Sequence, residues 1–255
     1  MRLEGKVALI SGSTRGIGRT IAEMFAREGA AVAVTGRTVD RGEKVVRAIR
    51  EAGGDAEFFA LDINDEDSVR GVVAATAARF GKLDTLINNA APTDVVSTTV
   101  KPLTDYSTAE WETIMRGTVT GNVFWSCKYA IPHLAAAGGG SIVNISSAQS
   151  VIGLTGFSAY GAAKGAINAL TPILAVENAP LHIRVNTIVV GRVISHKADT
   201  GVGVGGGHLT RLGVPADIAH IAIWLASDES GFVTGSLVTA DGGFTVNGDA
   251  IMGAR

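Results

Sequence analysis

The stretch Val7-Ala8-Leu9-Ile10-Ser11-Gly12-Ser13-Thr14-Arg15-Gly16-Ile17-Gly18 decides the fold, because an apolar run passes straight into a cluster of glycines. The short apolar run reads as a buried strand, and the glycines let the backbone turn sharply and approach a phosphate closely. An amphipathic stretch, Ile17–Glu28, follows and is expected to be a helix. Its N-terminus would stand behind the turn, where exposed N–H groups and the helix dipole favour an anion. A glycine cluster alone is a weak signal. Placed after the first strand and before a helix, it indicates a dinucleotide-binding turn.

Outward from this turn, short β-branched runs alternate with longer amphipathic stretches. Strands are expected at Val7–Ile10, Ala31–Thr35, Ala56–Ala60, Thr85–Ile87, Ser141–Ile145, His182–Ile188 and Ser236–Thr239. Helices are expected at Ile17–Glu28, Val39–Ala52, Asp65–Phe80, Ser107–Ala136, Phe157–Asn178 and Pro215–Ala226, several of them closed by a glycine such as Gly29, Gly53 or Gly81. This alternation predicts an α/β fold, a doubly wound seven-stranded parallel sheet covered by helices on both faces. Pro172 falls inside the fifth of these helices and should kink it after Tyr160 and Lys164.

The chain has 255 residues, 46% of them hydrophobic, and no repeat or low-complexity linker divides it. One domain spanning 1–255 is therefore expected, with a substrate loop near 192–210 that includes the glycine-rich run Gly201–Gly207. A formal charge of −2 with no basic block points away from nucleic acid and membrane surfaces and toward a small-molecule partner. Cys127 is the sole cysteine, so no intramolecular disulfide forms, which fits the cytoplasm. The first apolar run reads as a strand rather than a signal, and no stretch approaches the roughly 20 apolar residues of a membrane helix. His133, His182, His196, His208 and His220 are scattered without ligand spacing, so no metal site is expected.

Further motifs follow in order. They are Asn88-Asn89-Ala90 after the fourth strand, Ser147 thirteen residues before Tyr160, Tyr160-x-x-x-Lys164, Arg184-Val185-Asn186 and Asp241-Gly242-Gly243. Together with Gly12-x-x-x-Gly16-x-Gly18 they resemble the short-chain dehydrogenase/reductase family nearly end to end, which implies a Rossmann-type fold and an oxidoreductase. The resemblance implies that Gly12, Thr14, Arg15, Gly16, Ile17, Gly18, Arg37, Asp62, Ile63, Asn89, Ala90, Gly191, Val193 and Ser195 contact the cofactor, with Tyr160 and Lys164. It also implies a homo-oligomer, dimer or tetramer.

The second strand ends Thr35-Gly36-Arg37, with Gly36 where NAD-using relatives carry an acid. The missing acid, with Arg37 and Arg15 able to grip a 2′-phosphate, points to NADP over NAD. A tyrosine with an unperturbed pKa of about 10 needs a cation to act as a base near neutrality. Lys164, one helical turn on, can supply it. The resemblance assigns proton transfer to Tyr160, ribose binding to Lys164 and the substrate oxygen to Ser147, with neighbouring Ser146 disfavoured by spacing.

Three positions depart from the family. Thr118 stands seven residues after Trp111, where relatives carry an Asn that holds a water on the proton path. Asn122, one turn later, could take over. Ala91 and Val190 replace a glycine and a proline beside the cofactor. The expected activity is NADP-linked carbonyl reduction or alcohol oxidation. The departures leave open an alternative, a catalytically weakened dinucleotide-binding regulatory protein. The substrate pocket is expected to be lined by Pro92–Val100, Gln149–Phe157 and Val193–Leu209, whose apolar residues suit an uncharged substrate. Trp125 and Tyr129 are expected to pair at a subunit interface, and Cys127 to pack as a small hydrophobe.

Overall fold

The computed structural model describes residues 1–194 and 211–247. Ser195, His196, His208 and the glycine-rich run lie outside the described residues. Seven strands form one sheet: β1 (Val7–Ile10), β2 (Ala31–Gly36), β3 (Ala56–Ala60), β4 (Thr85–Asn88), β5 (Gly140–Ser147), β6 (Ile183–Val190) and β7 (Leu237–Ala240). All pairs are parallel, in the order β3-β2-β1-β4-β5-β6-β7. The order reverses between β1 and β4, and their carboxyl ends open the crevice in which such sheets bind ligands.

Side chains alternate across the sheet and build two cores. Ala8, Ile10, Val32, Val34, Val143 and Ile188 face α1 (Gly16–Arg27), α2 (Val39–Glu51) and α8 (Pro215–Ala226). Val7, Leu9, Ala33, Leu86, Ile142 and Val185 face α3 (Glu66–Phe80), α6 (Ser126–Ala136) and α7 (Ser158–Asn178). Expected strand ends moved where pairing decides them. β5 runs on to Ser147 because Ser146 and Ser147 pair with Val189 and Val190 of the lengthened β6. His182 sits at φ 57° before β6 and does not join it. α7 passes through Pro172 and continues to Asn178.

Two expectations need correction. The long helix expected over Ser107–Ala136 is three segments: α5 (Thr108–Met115), a π-helical stretch Arg116–Trp125, and α6. Before α5 stands α4 (Thr93–Thr98), a short helix inside the expected pocket lining. The π stretch holds Gly117, Thr118, Val119, Thr120 and Gly121, weak α formers, so packing rather than propensity sets its turn width. The packing is visible at Gly121, where an added Cβ would stand 1.6 Å from the Ile63 carbonyl oxygen. Trp125, expected at an interface, is only 6% exposed and belongs to the internal core, with the Arg116 guanidinium 5.2 Å from its ring.

Gly121→Ala is expected to destabilise the fold by about 3 kcal/mol, as overpacking against rigid backbone does. Gly71→Ala, in the exposed middle of α3 with open space around it, should instead add up to about 1 kcal/mol. Denaturant midpoints of the two variants check the contrast.

Candidate active site

The site grows from the carboxyl ends of β1, β4 and β5. Gly12 and Gly16 hold φ values of +66° and +55°, which only glycine adopts without strain. Gly12 and Gly18 are close-packed, and a Cβ on Gly18 would meet Asn89 Nδ2 at 2.4 Å and the Gly12 oxygen at 2.5 Å. Behind them α1 begins with no side-chain cap and no acidic residue in its first turn, leaving its first N–H groups for an anion. That geometry fits the diphosphate of a dinucleotide.

Ser11 and Asn89 lock the turn in place. Asn89 Nδ2 donates to the carbonyls of Ser11 (3.0 Å) and Gly12 (3.1 Å). Ser11 Oγ accepts from the backbone N–H groups of Asn89 and Ala90, both at 2.9 Å, and donates to Asn122 Oδ1 at 2.6 Å. Beside the turn, Thr14 fills the space next to Gly36, where a Cβ would lie 2.7 Å from the Thr14 methyl. A side chain at position 36 would require Thr14 to shift its methyl. Asp62 follows β3 on the surface, its Oδ1 accepting from the Asn64 N–H at 2.9 Å, with Ile63 next to it.

Tyr160, Lys164 and Ser147 meet where α7 crosses the end of β5. Lys164 is 2% exposed, its Nζ donates to the Ile145 carbonyl at 2.6 Å and stands 5.6 Å from the centre of the Tyr160 ring. Burial pushes its ammonium down to about 8. Burial also pushes the half-buried Tyr160 phenol up to about 12, against a hydrogen bond with Ser147 that acts to lower it. Ser147 Oγ also donates to Gln149 Oε1. Ser146 faces away and donates to the Lys164 carbonyl at 3.2 Å, as strand alternation requires.

The remaining expected residues take other places. Thr118 is fully buried and its hydroxyl finds no protein partner. Asn122 ties its Oδ1 to Ser11 and has a buried Nδ2 with no partner among the described residues. Gly191 and Val193 follow β6, and a Cβ on Gly191 would lie 2.5 Å from Asp241 Cα. Arg184 and Asn186 are structural: Arg184 donates to the Leu225 and Ser227 carbonyls, Asn186 to that of Val233. Arg15 and Arg37 converge, but on the Asp94 carboxylate. Sequence reasoning missed Ser11 and Asp94 as partners in the site. Ser11 directly precedes Gly12, and a hydroxyl at that strand end was the available signal. A separate cavity of about 910 Å³, lined by Glu4, Lys6, Arg19, Asp55, Arg79 and Lys82 among others, borders none of Ser147, Tyr160 and Lys164.

The family model described as enoyl-(acyl carrier protein) reductase matches residues 12–245. The chain is 38% identical to the 7α-hydroxysteroid dehydrogenase of Clostridium sardiniense over 252 residues, 96% of this chain and 95% of that protein. The chain belongs to the short-chain dehydrogenase/reductase family. It is an oxidoreductase of that family, whose members use a nicotinamide dinucleotide. It is also 35% identical to the cyclopentanol dehydrogenase of Comamonas sp. (strain NCIMB 9872), covering 96% of this chain and 99% of that one. The crystal structure of a protein assigned to the short-chain alcohol dehydrogenases, from Sinorhizobium meliloti 1021, superposes with a TM-score of 0.87 at 34% identity, covering 96% and 98% of the two chains. Among the described residues no helix is long and apolar enough to cross a membrane.

Ser11→Ala would strand two part-buried backbone donors and the buried Asn122 oxygen, and is expected to cost this dehydrogenase/reductase about 2 kcal/mol. Thr118→Val keeps the shape and deletes a hydroxyl without a protein partner, so stability should be unchanged or slightly raised. Urea unfolding midpoints measure both.

Proposed function

We propose that this protein is an NADP-dependent dehydrogenase/reductase acting on a secondary alcohol or its ketone, of a small and largely apolar substrate, with Tyr160 exchanging the proton. The observation that carries the reading is the meeting of Tyr160, Lys164 and Ser147 beside an apolar wall. Val95, Val96, Tyr106, Trp111 and Met115 pack in one cluster with Tyr160. The proposal of a ring alcohol draws support from the names of two relatives, which act on cyclopentanol and on a 7α-hydroxysteroid.

When bound, the nicotinamide supplies or accepts the hydride. In reduction the carbonyl π electrons move onto oxygen, which takes the Tyr160 proton while Ser147 donates a hydrogen bond to the same oxygen. Lys164 stabilises the tyrosinate left behind and offers donors to the nicotinamide ribose. Oxidation reverses these steps. For the adenosine end, Arg15 and Arg37 are the proposed 2′-phosphate ligands, with glycine rather than an acid at position 36. Asp62 and Ile63 are proposed to contact the adenine, and Gly191 and Val193 the nicotinamide. The alternative of a weakened regulatory binding protein is not favoured, because the three groups for proton transfer stand together. A homo-oligomer is in keeping with the fully exposed Phe232 and the exposed Val246 and Leu237 near the sheet edge.

The deciding experiment is reduction of cyclopentanone and cyclohexanone with NADPH or NADH. NADPH turnover is expected in the wild type and should fall about 100-fold or more in Tyr160→Phe. Turnover surviving that substitution would reject the mechanism. Arg37→Ala should raise the KM for NADPH about 10-fold and leave that for NADH nearly unchanged. The pH dependence follows from Lys164. Its charge is present below about 8 and is lost as pH rises through that value, while the Tyr160 proton persists to about 12. The reductive kcat/KM is therefore expected to decline above about 8, and a flat profile through that range would remove the Lys164 charge from the mechanism.

A further inference from the structure

Arg15 leaves the glycine turn and Arg37 leaves the end of β2, yet both guanidinium groups reach the same carboxylate. Arg15 Nη2 lies 3.1 Å from Asp94 Oδ1 and Arg37 Nη2 lies 3.1 Å from Asp94 Oδ2, one oxygen for each cation. Arg15 Nη2 also donates to Thr93 Oγ1 at 2.8 Å. Asp94 stands in the first turn of α4, beyond the Asn88-Asn89-Ala90 end of β4. Its partners therefore come from two other segments of the nucleotide crevice, and nothing in the sequence between them announces the pairing. The carboxyl is held below the usual carboxylate range by Arg15 first and Arg37 second, so it is ionised throughout the neutral range.

We infer that Asp94 is an internal stand-in for the 2′-phosphate of NADP(H), which holds Arg15 and Arg37 together and must release them before they grip the phosphate. The inference rests on the NADP reading above. All three side chains are substantially exposed, with relative exposures of 47%, 68% and 65% for Arg15, Arg37 and Asp94. Solvent-exposed ion pairs of this kind are weak and easily exchanged. A phosphate monoester carries roughly −1.5 to −2 charge and three strong acceptor oxygens, against the single charge and two oxygens of Asp94, so it displaces the carboxylate from two guanidinium groups. A nucleotide with a free 2′-hydroxyl brings no such charge and leaves the clamp closed. Asp94 is thus a specificity-setting residue. It keeps the two arginines converged in the absence of cofactor, and it lowers the affinity for every 2′-phosphorylated nucleotide by the free energy of its own two ion pairs.

The test uses the intact protein without substrate and measures binding of adenosine 2′,5′-bisphosphate and adenosine 5′-phosphate by calorimetry. Asp94→Asn should bind the bisphosphate about 3- to 5-fold more tightly than the wild type does. Binding of the 5′-phosphate should not change, which also shows that the variant is folded. The gain should vanish when Arg15→Ala and Arg37→Ala are added, since the effect acts through those side chains. A gain that persists without the arginines, or that appears equally for both nucleotides, is general charge repulsion and overturns the inference. If the wild type prefers the bisphosphate through its arginines and Asp94→Asn changes nothing, the stand-in is overturned while the NADP reading stands. If wild type and Arg37→Ala bind both nucleotides alike, the NADP reading and the inference fall together.

Discussion

One hydroxyl, that of Ser11, ties together the segments on which the site is built. It ends β1, accepts the two successive N–H groups that follow β4, and donates to Asn122 in the π-helical stretch. Three chain segments far apart in sequence thereby meet at a point beside Gly12. The turn is fixed to β1 and β2 by Ser13, whose Oγ donates to the Ile10 carbonyl and accepts from the Thr35 N–H, both at 2.8 Å, and to the end of β4 by the Ser11 contact and the Asn89 amide that grips the Ser11 and Gly12 carbonyls. Each of these groups is buried or partly buried, and loss of one partner would leave the others without compensation.

The second half of the site depends on how α7 is seated on the sheet. A line of polar side chains crosses the apolar interior from Asn88 to Asn144 (2.9 Å), from Asn144 to Thr171 (3.4 Å) and from Thr171 to Thr187 (2.6 Å). It links β4, β5, α7 and β6, and a slip of α7 along its axis would break it. Ser146 bonding to the Lys164 carbonyl adds a further tie near the chemistry. Strand alternation then sends Ser147 to the other side, toward Tyr160. The apolar cores supply most of the favourable burial, while the polar line gives the helix one position.

Much of this was legible in the sequence. The seven strands were identifiable because buried parallel strands read as short β-branched runs, and Pro215–Ala226 was located to the residue. Helix periodicity put Tyr160 and Lys164 on one face, and the family resemblance singled out Ser147 beside them. What stayed hidden depends on contacts between distant segments. Ser146 and Ser147 are polar, yet they extend β5 because β6 offers them a ladder. The π turn around Thr118 and Gly121 exists because Gly121 presses on the Ile63 carbonyl, fifty-eight residues earlier in the chain. Arg15 and Arg37 could be paired from the sequence as candidate phosphate ligands, but the carboxylate between them comes from α4, a helix too short to leave a periodic signal.

Under the proposed mechanism, one environment prepares Tyr160 and Lys164 for both directions of a proton transfer. Burial disfavours charge on each, so it raises the phenol to about 12 and lowers the ammonium to about 8. A protonated tyrosine and a lysine that loses its charge as pH rises through about 8 are the resting consequence. Either charge alone is unfavourable here, but a tyrosinate beside an ammonium 5.6 Å from its ring is a compensated pair. Among the described residues no acidic side chain bonds Lys164, whose ammonium donates to the neutral Ile145 carbonyl. In the proposed reaction the ammonium is therefore left to answer a charge that forms only when Tyr160 gives up its proton. A carboxylate paired with Lys164 would hold its charge more firmly and spend that attraction before the reaction began.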